Sequence, residues 1–170
     1  MELRWLGALL VIAGGGGIGF SMAFHYRKQE QCLRRLIKAI ELFSCELEFK
    51  LTPLPEVCRS VSRSVGGSIG EVFQCLAQEL DSQIRPDAAC CMESAVSCCK
   101  DLSQPCRGWL LQLGRTLGRF DVAGQLAELA SVKAGCVEQM NTMLAEKDVR
   151  IRNYQTLGLC AGAALAILLI

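Results

Sequence analysis

The sequence predicts an all-α protein, a bundle of five to six helices with one membrane-spanning helix before it and one after it. Three observations carry this prediction. Two uncharged apolar segments, Trp5–Phe24 and Asn153–Ile170, bracket the chain. Between them apolar residues recur at the three-and-four spacing of helix faces, and no run alternates in the manner of a strand. Proline, glycine and capping residues break that pattern at intervals suited to short helices joined by tight turns.

The first apolar segment is twenty residues without a charge. As a helix it measures ~30 Å, the thickness of a bilayer's hydrocarbon core. It contains Gly14–Gly17, a run better tolerated in lipid than in water, because in lipid the backbone has no solvent to turn to. No Gly-Lys-Ser/Thr follows these glycines, so a phosphate-binding loop is excluded. Ser21-Met22-Ala23 has the shape of a signal-peptide cleavage site. The apolar stretch is long for a signal peptide, however, and the basic residues Arg27 and Lys28 come after it, with only Arg4 before it.

The second segment is eighteen uncharged residues ending in Ala-Ile-Leu-Leu-Ile, ~27 Å as a helix. Its strongly apolar part, Leu157–Ile170, is shorter, which makes a buried core helix the competing reading; the bare apolar tail favours the membrane. The expected organisation is a membrane helix over 1–26, a helical domain over 27–152 and a second membrane helix over 153–170. Arg27, Lys28, Arg34, Arg35 and Lys38 follow the first span, and Lys147, Arg150 and Arg152 precede the second. Positive charge stays on the cytoplasmic side, so the middle domain is expected in the cytoplasm. Gly15 and Gly19 in the first span, and Gly158, Gly162 and Ala166 in the second, are spaced four apart. Small residues at this spacing let helices approach closely, within one chain or between protomers.

In the middle domain, Leu33, Ile37, Ile40, Ser44, Leu47 and Leu51 form the stripe of a first helix over 29–51, widened by Leu36 and Phe43. Little between Phe24 and Gln29 would break it from the first span. Thr52-Pro53-Leu54-Pro55-Glu56 ends it, because a residue before proline is pushed out of the α region, and Pro55 suits the first turn of a second helix reaching about Val65. Gly66-Gly67 is a turn. Ser68 and Glu71 have the spacing of a capping box for a third helix carrying Val72, Phe73, Leu76, Ala77 and Leu80. Pro86-Asp87 opens a fourth, with Ala88, Cys91, Ala95, Cys98 and Leu102 inward and Met92, Val96 and Cys99 beside them. Ser103-Gln104-Pro105 precedes a fifth with Trp109, Leu110, Leu113 and Leu117. Gly118 suits the position after that helix, and Asp121 the cap of the next. A last stripe, Val122, Leu126, Leu129, Lys133, Cys136, Met140, Leu144 and Ile151, has no proline or glycine pair to stop it before the second span.

The chemistry expected of this sequence is non-enzymatic and free of cofactors. The net charge is +1 and there is no long basic run, which argues against nucleic acid as a partner. The single histidine, His25, lies at the membrane border, which leaves no Ser/His/Asp or Cys/His set. Eleven cysteines stand out. The pairs Cys90-Cys91 and Cys98-Cys99 fall on one helix ~12 Å apart, too far along a rigid rod to close a tetrahedral site with ~2.3 Å bonds. No Cys-x-x-Cys is present. The cysteines therefore read as small buried hydrophobes, with a membrane-anchored thiol or metal sensor using Cys90 and Cys99 as the alternative.

Three segments resemble the stage III sporulation protein AB family. Glu46-Leu47-Glu48-Phe49-Lys50-Leu51-Thr52-Pro53-Leu54-Pro55-Glu56 is similar to that family's first signature. Leu113-Gly114-x-x-Leu117-Gly118-Arg119-x-Asp121-x-x-x-Gln125 resembles the second, and Tyr154-Gln155-x-Leu157-Gly158 with its apolar tail the third. The cysteine load departs from the family pattern, as do Ser44, where an acidic residue is common, and Asn153, where methionine is. The resemblance implies a role in endospore formation, in the multi-protein channel between mother cell and forespore. It implies a bundle like the helical domain of the inner-membrane platform proteins of type II secretion and type IV pilus machines. It implies as partners a cytoplasmic secretion-type ATPase and other membrane proteins of the channel, with the chain in the mother-cell membrane around the forespore. Thr52–Glu56 and Gly114–Asp121 are expected to set turns in this architecture.

Overall fold

The computed structural model describes the backbone of residues 2–49, 52–117 and 122–169, and the side chains of 24, 26–49, 52–117 and 122–146. Within those residues all regular structure is helical: α1 (Glu2–Phe49), α2 (Leu54–Val65), α3 (Gly67–Ser82), α4 (Ala88–Cys98), α5 (Gln104–Thr116) and α6 (Val122–Leu169). The chain divides into two compact units. One comprises Met1–Lys28 and Asn141–Ile170, the other Gln29–Met140. Helices α1 and α6 are unbroken, as the lack of any stop signal after Phe24 and after Val122 predicts. Among the described residues no helix is long and apolar enough to cross a membrane. The two segments expected to do so lie, with Gly15, Gly19, Gly158, Gly162 and Ala166, where side chains are outside the described residues.

The Gln29–Met140 unit is built on the inner face of α1. Cys32, Leu33, Leu36, Ala39, Ile40 and Phe43 are buried, while Ile37, Ser44 and Leu47 are only half-buried. The stripe thus centres one position away from the predicted one, on the side where Phe43 meets Phe73 of α3 with ring centroids 6.3 Å apart and a tilt typical of favourable aromatic pairs. From α3 come Ile69, Val72, Phe73, Leu76 and Ala77, and from α5 come Cys106, Leu110 and Leu113. In α4 the core face is Cys91, Met92, Ala95 and Val96. Cys98, expected inward, is exposed, because the face of α4 turned to the core runs through Met92 and Val96.

The helix boundaries follow from local chemistry. The carbonyl of Pro53 accepts from the N–H groups of Glu56 and Val57 at 2.9 and 3.2 Å, so α2 starts at Leu54, which was expected to leave the α region as the residue before Pro55. Pro55 sits in the first turn, where its missing N–H leaves nothing unsatisfied. Gly66 and Gly67 both have positive φ, 62° and 61°, which a residue with a side chain adopts only at a cost. This turn overrides the predicted capping box. Gly66 occupies the cap and its carbonyl accepts the N–H of Gly70 at 3.1 Å, so α3 begins before Ser68 and no side chain caps it. Asp87 does cap α4 as expected, its Oδ1 accepting the Cys90 N–H at 2.8 Å.

Gly114 has a packing role. A Cβ there would lie 2.5 Å from Met92 Cβ, whereas one at Gly108 on the same helix would meet nothing within 4 Å. Gly114→Ala is therefore expected to destabilise the domain by about 1–3 kcal/mol through overpacking. Gly108→Ala is expected to stabilise it by up to about 1 kcal/mol through helix propensity. Denaturant unfolding of the two variants checks the sign of each.

Candidate functional site

The register of α1 against α6 decides which loops meet. Lys133 Nζ lies 2.7 Å from Glu41 Oε1. From that level α1 runs on about 12 Å to Phe49, and α6 runs back about 16 Å to Val122, at 1.5 Å per residue. The two helices are antiparallel, so both arrive at one end of the unit. The first signature closes α1 and opens α2, and the second closes α5 and opens α6. The described residues of two signatures separated by some sixty positions are thereby brought to a single end of the Gln29–Met140 unit.

The α3–α4 turn belongs to the same end. An ion pair between Arg59 and Asp81 ties the second turn of α2 to the last turn of α3. Ser94 Oγ donates to Glu79 Oε1 at 2.7 Å, and Arg85 Nε donates to Glu79 Oε2 at 2.9 Å, which holds the turn onto α4. Gly114, near the end of α5, packs on Ala89 and Met92 at the start of α4.

Of the predicted residues at this end, Gly114 and Leu117 are buried and structural, while Pro53 and Glu56 are exposed and Glu46, Thr52, Leu54, Pro55 and Gln125 are half-buried. Glu46 and Gln125 each make an interaction. Gly118 and Asp121 lie outside the described residues.

Sequence reasoning missed what is exposed here. Phe49 is 75% exposed, Ile84 84% and Val122 48%. They are three of the four large apolar side chains that the described residues present to solvent, the fourth being Phe24 of the other unit. Val122, expected to begin the buried stripe of α6, is instead exposed: burial on α6 begins further on, at Leu129, Val132 and Cys136. Periodicity assigns Val122 and Phe49 to helix faces but carries no information about where those faces run out of cover. Exposed apolar groups gathered at one end are the mark of a contact surface.

The acid–base chemistry at this end is that of a surface. Glu79 is held below its ordinary value, first by the Ser94 hydroxyl and then by Arg85, and Arg85 is raised in turn by Glu79. Burial pushes the nearby Cys58 thiol up to about 12, far from any nucleophilic form. Among the described residues no group of three or more His, Cys, Asp or Glu is able to hold a metal ion. On α4, Cys90 is half-buried, Cys91 buried and Cys98 exposed, and Cys99, just past its end, is buried.

The comparisons with known proteins agree with one another. The family model for stage III sporulation protein AB matches residues 4–170. The chain belongs to the stage III sporulation protein AB family. Stage III sporulation protein AB of Bacillus subtilis (strain 168) is 22% identical over 172 residues, covering 98% of this chain and 99% of that protein. A solved structure of stage III sporulation protein AB superposes with a TM-score of 0.65 at 18% identity, over 72% of this chain and 98% of that one. At that identity the superposition speaks for the fold. The family ties the chain to sporulation, and all three signature resemblances lie within the matched residues.

Glu79 gives the site a pH signature. Its folded-state pKa is depressed, so its contribution to stability is present above the unfolded carboxylate value and is lost as pH falls through the lowered folded one. Glu79→Gln is expected to flatten the acid limb of the Tm–pH curve and to leave the curve above neutrality nearly parallel to the parent's, as measured by thermal unfolding between pH 3 and pH 8.

Proposed function

We propose that this member of the family is a non-enzymatic platform component of the channel complex between mother cell and forespore. Its two ends sit in the membrane, its Gln29–Met140 unit faces the mother-cell cytoplasm, and that unit couples a cytoplasmic secretion-type ATPase to the membrane parts of the channel. The observation that carries the reading is the exposure of Phe49, Ile84 and Val122 at the end where the first two signatures meet. A partner that buries such side chains gains about 1.5–3 kcal/mol for each. Hydropathy and the placement of basic residues support the membrane and its sidedness. Arg27, Arg34, Arg35 and Lys38 are exposed on α1 as it begins the domain, and Lys147, Arg150 and Arg152 lie on α6 as it leaves.

The coupling surface is tested with the paired variant Phe49→Asp and Val122→Asp. Both side chains are exposed, so the melting temperature is expected to stay within a few degrees of the parent's. Spore yield and co-purification of the ATPase with the membrane complex are expected to collapse. Wild-type yield with the ATPase retained would remove this surface from the proposal.

Sidedness is tested separately at Cys45, which is exposed. A membrane-impermeant maleimide is expected to label it only after cells are lysed. Labelling in intact cells would place the domain on the opposite side.

A further inference from the structure

The α2–α3 turn gathers positive charge from two helices. Lys38 Nζ of α1 donates to the carbonyl of Ser64 in the last turn of α2 at 3.4 Å. The Arg35 guanidinium lies over Gly67, so close that a Cβ on that glycine would overlap it. Arg34 stands one helical turn before Lys38 and shares its face of α1, and Arg63 belongs to the last turn of α2. All four side chains are exposed. The sign of the charge reverses along both helices. On α1, Arg34, Arg35 and Lys38 give way to Glu41, Glu46 and Glu48. On α2, Glu56 lies in the first turn and Arg63 in the last. The chain turns back between the two helices, so both place their positive ends at the α2–α3 turn.

Helix-end electrostatics explain only part of this patch. The C-terminus of a helix draws a cation or two, which accounts for Lys38 and Arg63 but not for Arg34 and Arg35 as well. Glu30 pairs with Arg34 at 3.0 Å, an exposed pair one helical turn apart that contributes little. Glu71 lies in the second turn of α3. Set against the four cations, these two carboxylates leave an excess of two positive charges. Like charges held together on a surface repel one another, and an anionic partner relieves that repulsion. Three of the four are arginines, whose planar fork matches phosphate oxygens in pairs.

We propose that the patch of Arg34, Arg35, Lys38 and Arg63 is a docking surface for the phosphate headgroups of an anionic bilayer leaflet. The proposal rests on the membrane anchorage proposed above and on no part of the ATPase coupling. Counted along the unbroken α1, Arg34 and Arg35 come ten and eleven residues after Phe24, where the apolar segment ends, a rise of ~16 Å. The headgroup layer occupies about 6 Å of it. An extended arginine side chain and a Debye length of about 8 Å cover the remainder. Each cation held near an anionic leaflet strengthens its binding about fivefold. The patch and Phe49 lie at opposite ends of the α1–α2 hairpin, so docking turns the apolar end of the domain away from lipid.

The test uses the full-length chain reconstituted in nanodiscs, either of phosphatidylcholine alone or of phosphatidylcholine mixed with phosphatidylglycerol. Phenylglyoxal modifies accessible guanidinium groups, and mass spectrometry maps the modified positions. Arg34, Arg35 and Arg63 are expected to react at least about threefold more slowly in the anionic discs, and to lose that protection in about 0.5 M salt. Arg115, exposed in the last turn of α5 at the apolar end, is expected to react alike in both. Arg34→Gln with Arg63→Gln is expected to remove most of the protection at Arg35, while Arg34→Lys with Arg63→Lys keeps it. Equal reaction of Arg34, Arg35 and Arg63 in the two kinds of disc overturns the docking surface and leaves the anchorage standing. The same protection in phosphatidylcholine discs on adding inorganic phosphate overturns the lipid assignment in favour of a free anion. Protection that extends to Arg115 overturns the assignment to this patch. Recovery of the chain apart from both kinds of disc overturns anchorage and docking together.

Discussion

The inner face of α1 is the constraint on which the rest of the domain depends. Leu33, Leu36, Ile40 and Phe43 have no exposed surface, and side chains of this size contribute roughly 1.5–3 kcal/mol each when buried. One helix cannot bury such a face on itself. The chain covers it by folding back repeatedly, and the break points dictate how: two prolines after α1, two left-handed glycines after α2, an aspartate cap before α4. Each short element reverses direction, so helix ends alternate between the two ends of the domain. The meeting of the two signatures follows from this alternation once α6 lies antiparallel to α1 at the Glu41–Lys133 level.

Much of this was legible in the sequence, because it depends on local chemistry. Asp87 caps α4, Pro55 enters the first turn of α2, and the unbroken stripes of α1 and α6 become unbroken helices. The capping box at Ser68–Glu71 has the correct spacing and does not form. Positive φ at Gly66 and Gly67 starts α3 early. The candidate surface was legible only in part. Its turn-setting residues are sequence patterns, but the exposure of Phe49, Ile84 and Val122 depends on where neighbouring helices stop.

The two ends of the domain consequently differ in kind. Where α1 begins the domain it carries the exposed cations Arg34 and Arg35, and Lys38 Nζ donates to the last-turn carbonyl of Ser64 at 3.4 Å, a favourable place for a cation at a helix C-terminus. At the opposite end the surface is apolar at its projecting residues, and its charges Arg59, Asp81, Glu79 and Arg85 are spent on one another. Cysteine serves the core between these ends: Cys32, Cys58, Cys91, Cys99, Cys106 and Cys136 are buried as small apolar residues.

The proposed coupling role is consistent with how little the apolar end offers. Burial of three exposed side chains contributes on the order of 4–9 kcal/mol, while association of two free proteins costs about 4–15 kcal/mol in lost translational and rotational freedom. Such a surface binds weakly on its own. A protein held in a membrane among its partners escapes much of that cost, because effective concentrations near millimolar turn a weak contact into an occupied one. A contact of this strength also releases readily. A platform that must engage a cycling ATPase without arresting it requires that balance, and a more extensive apolar surface would lose it while inviting self-association.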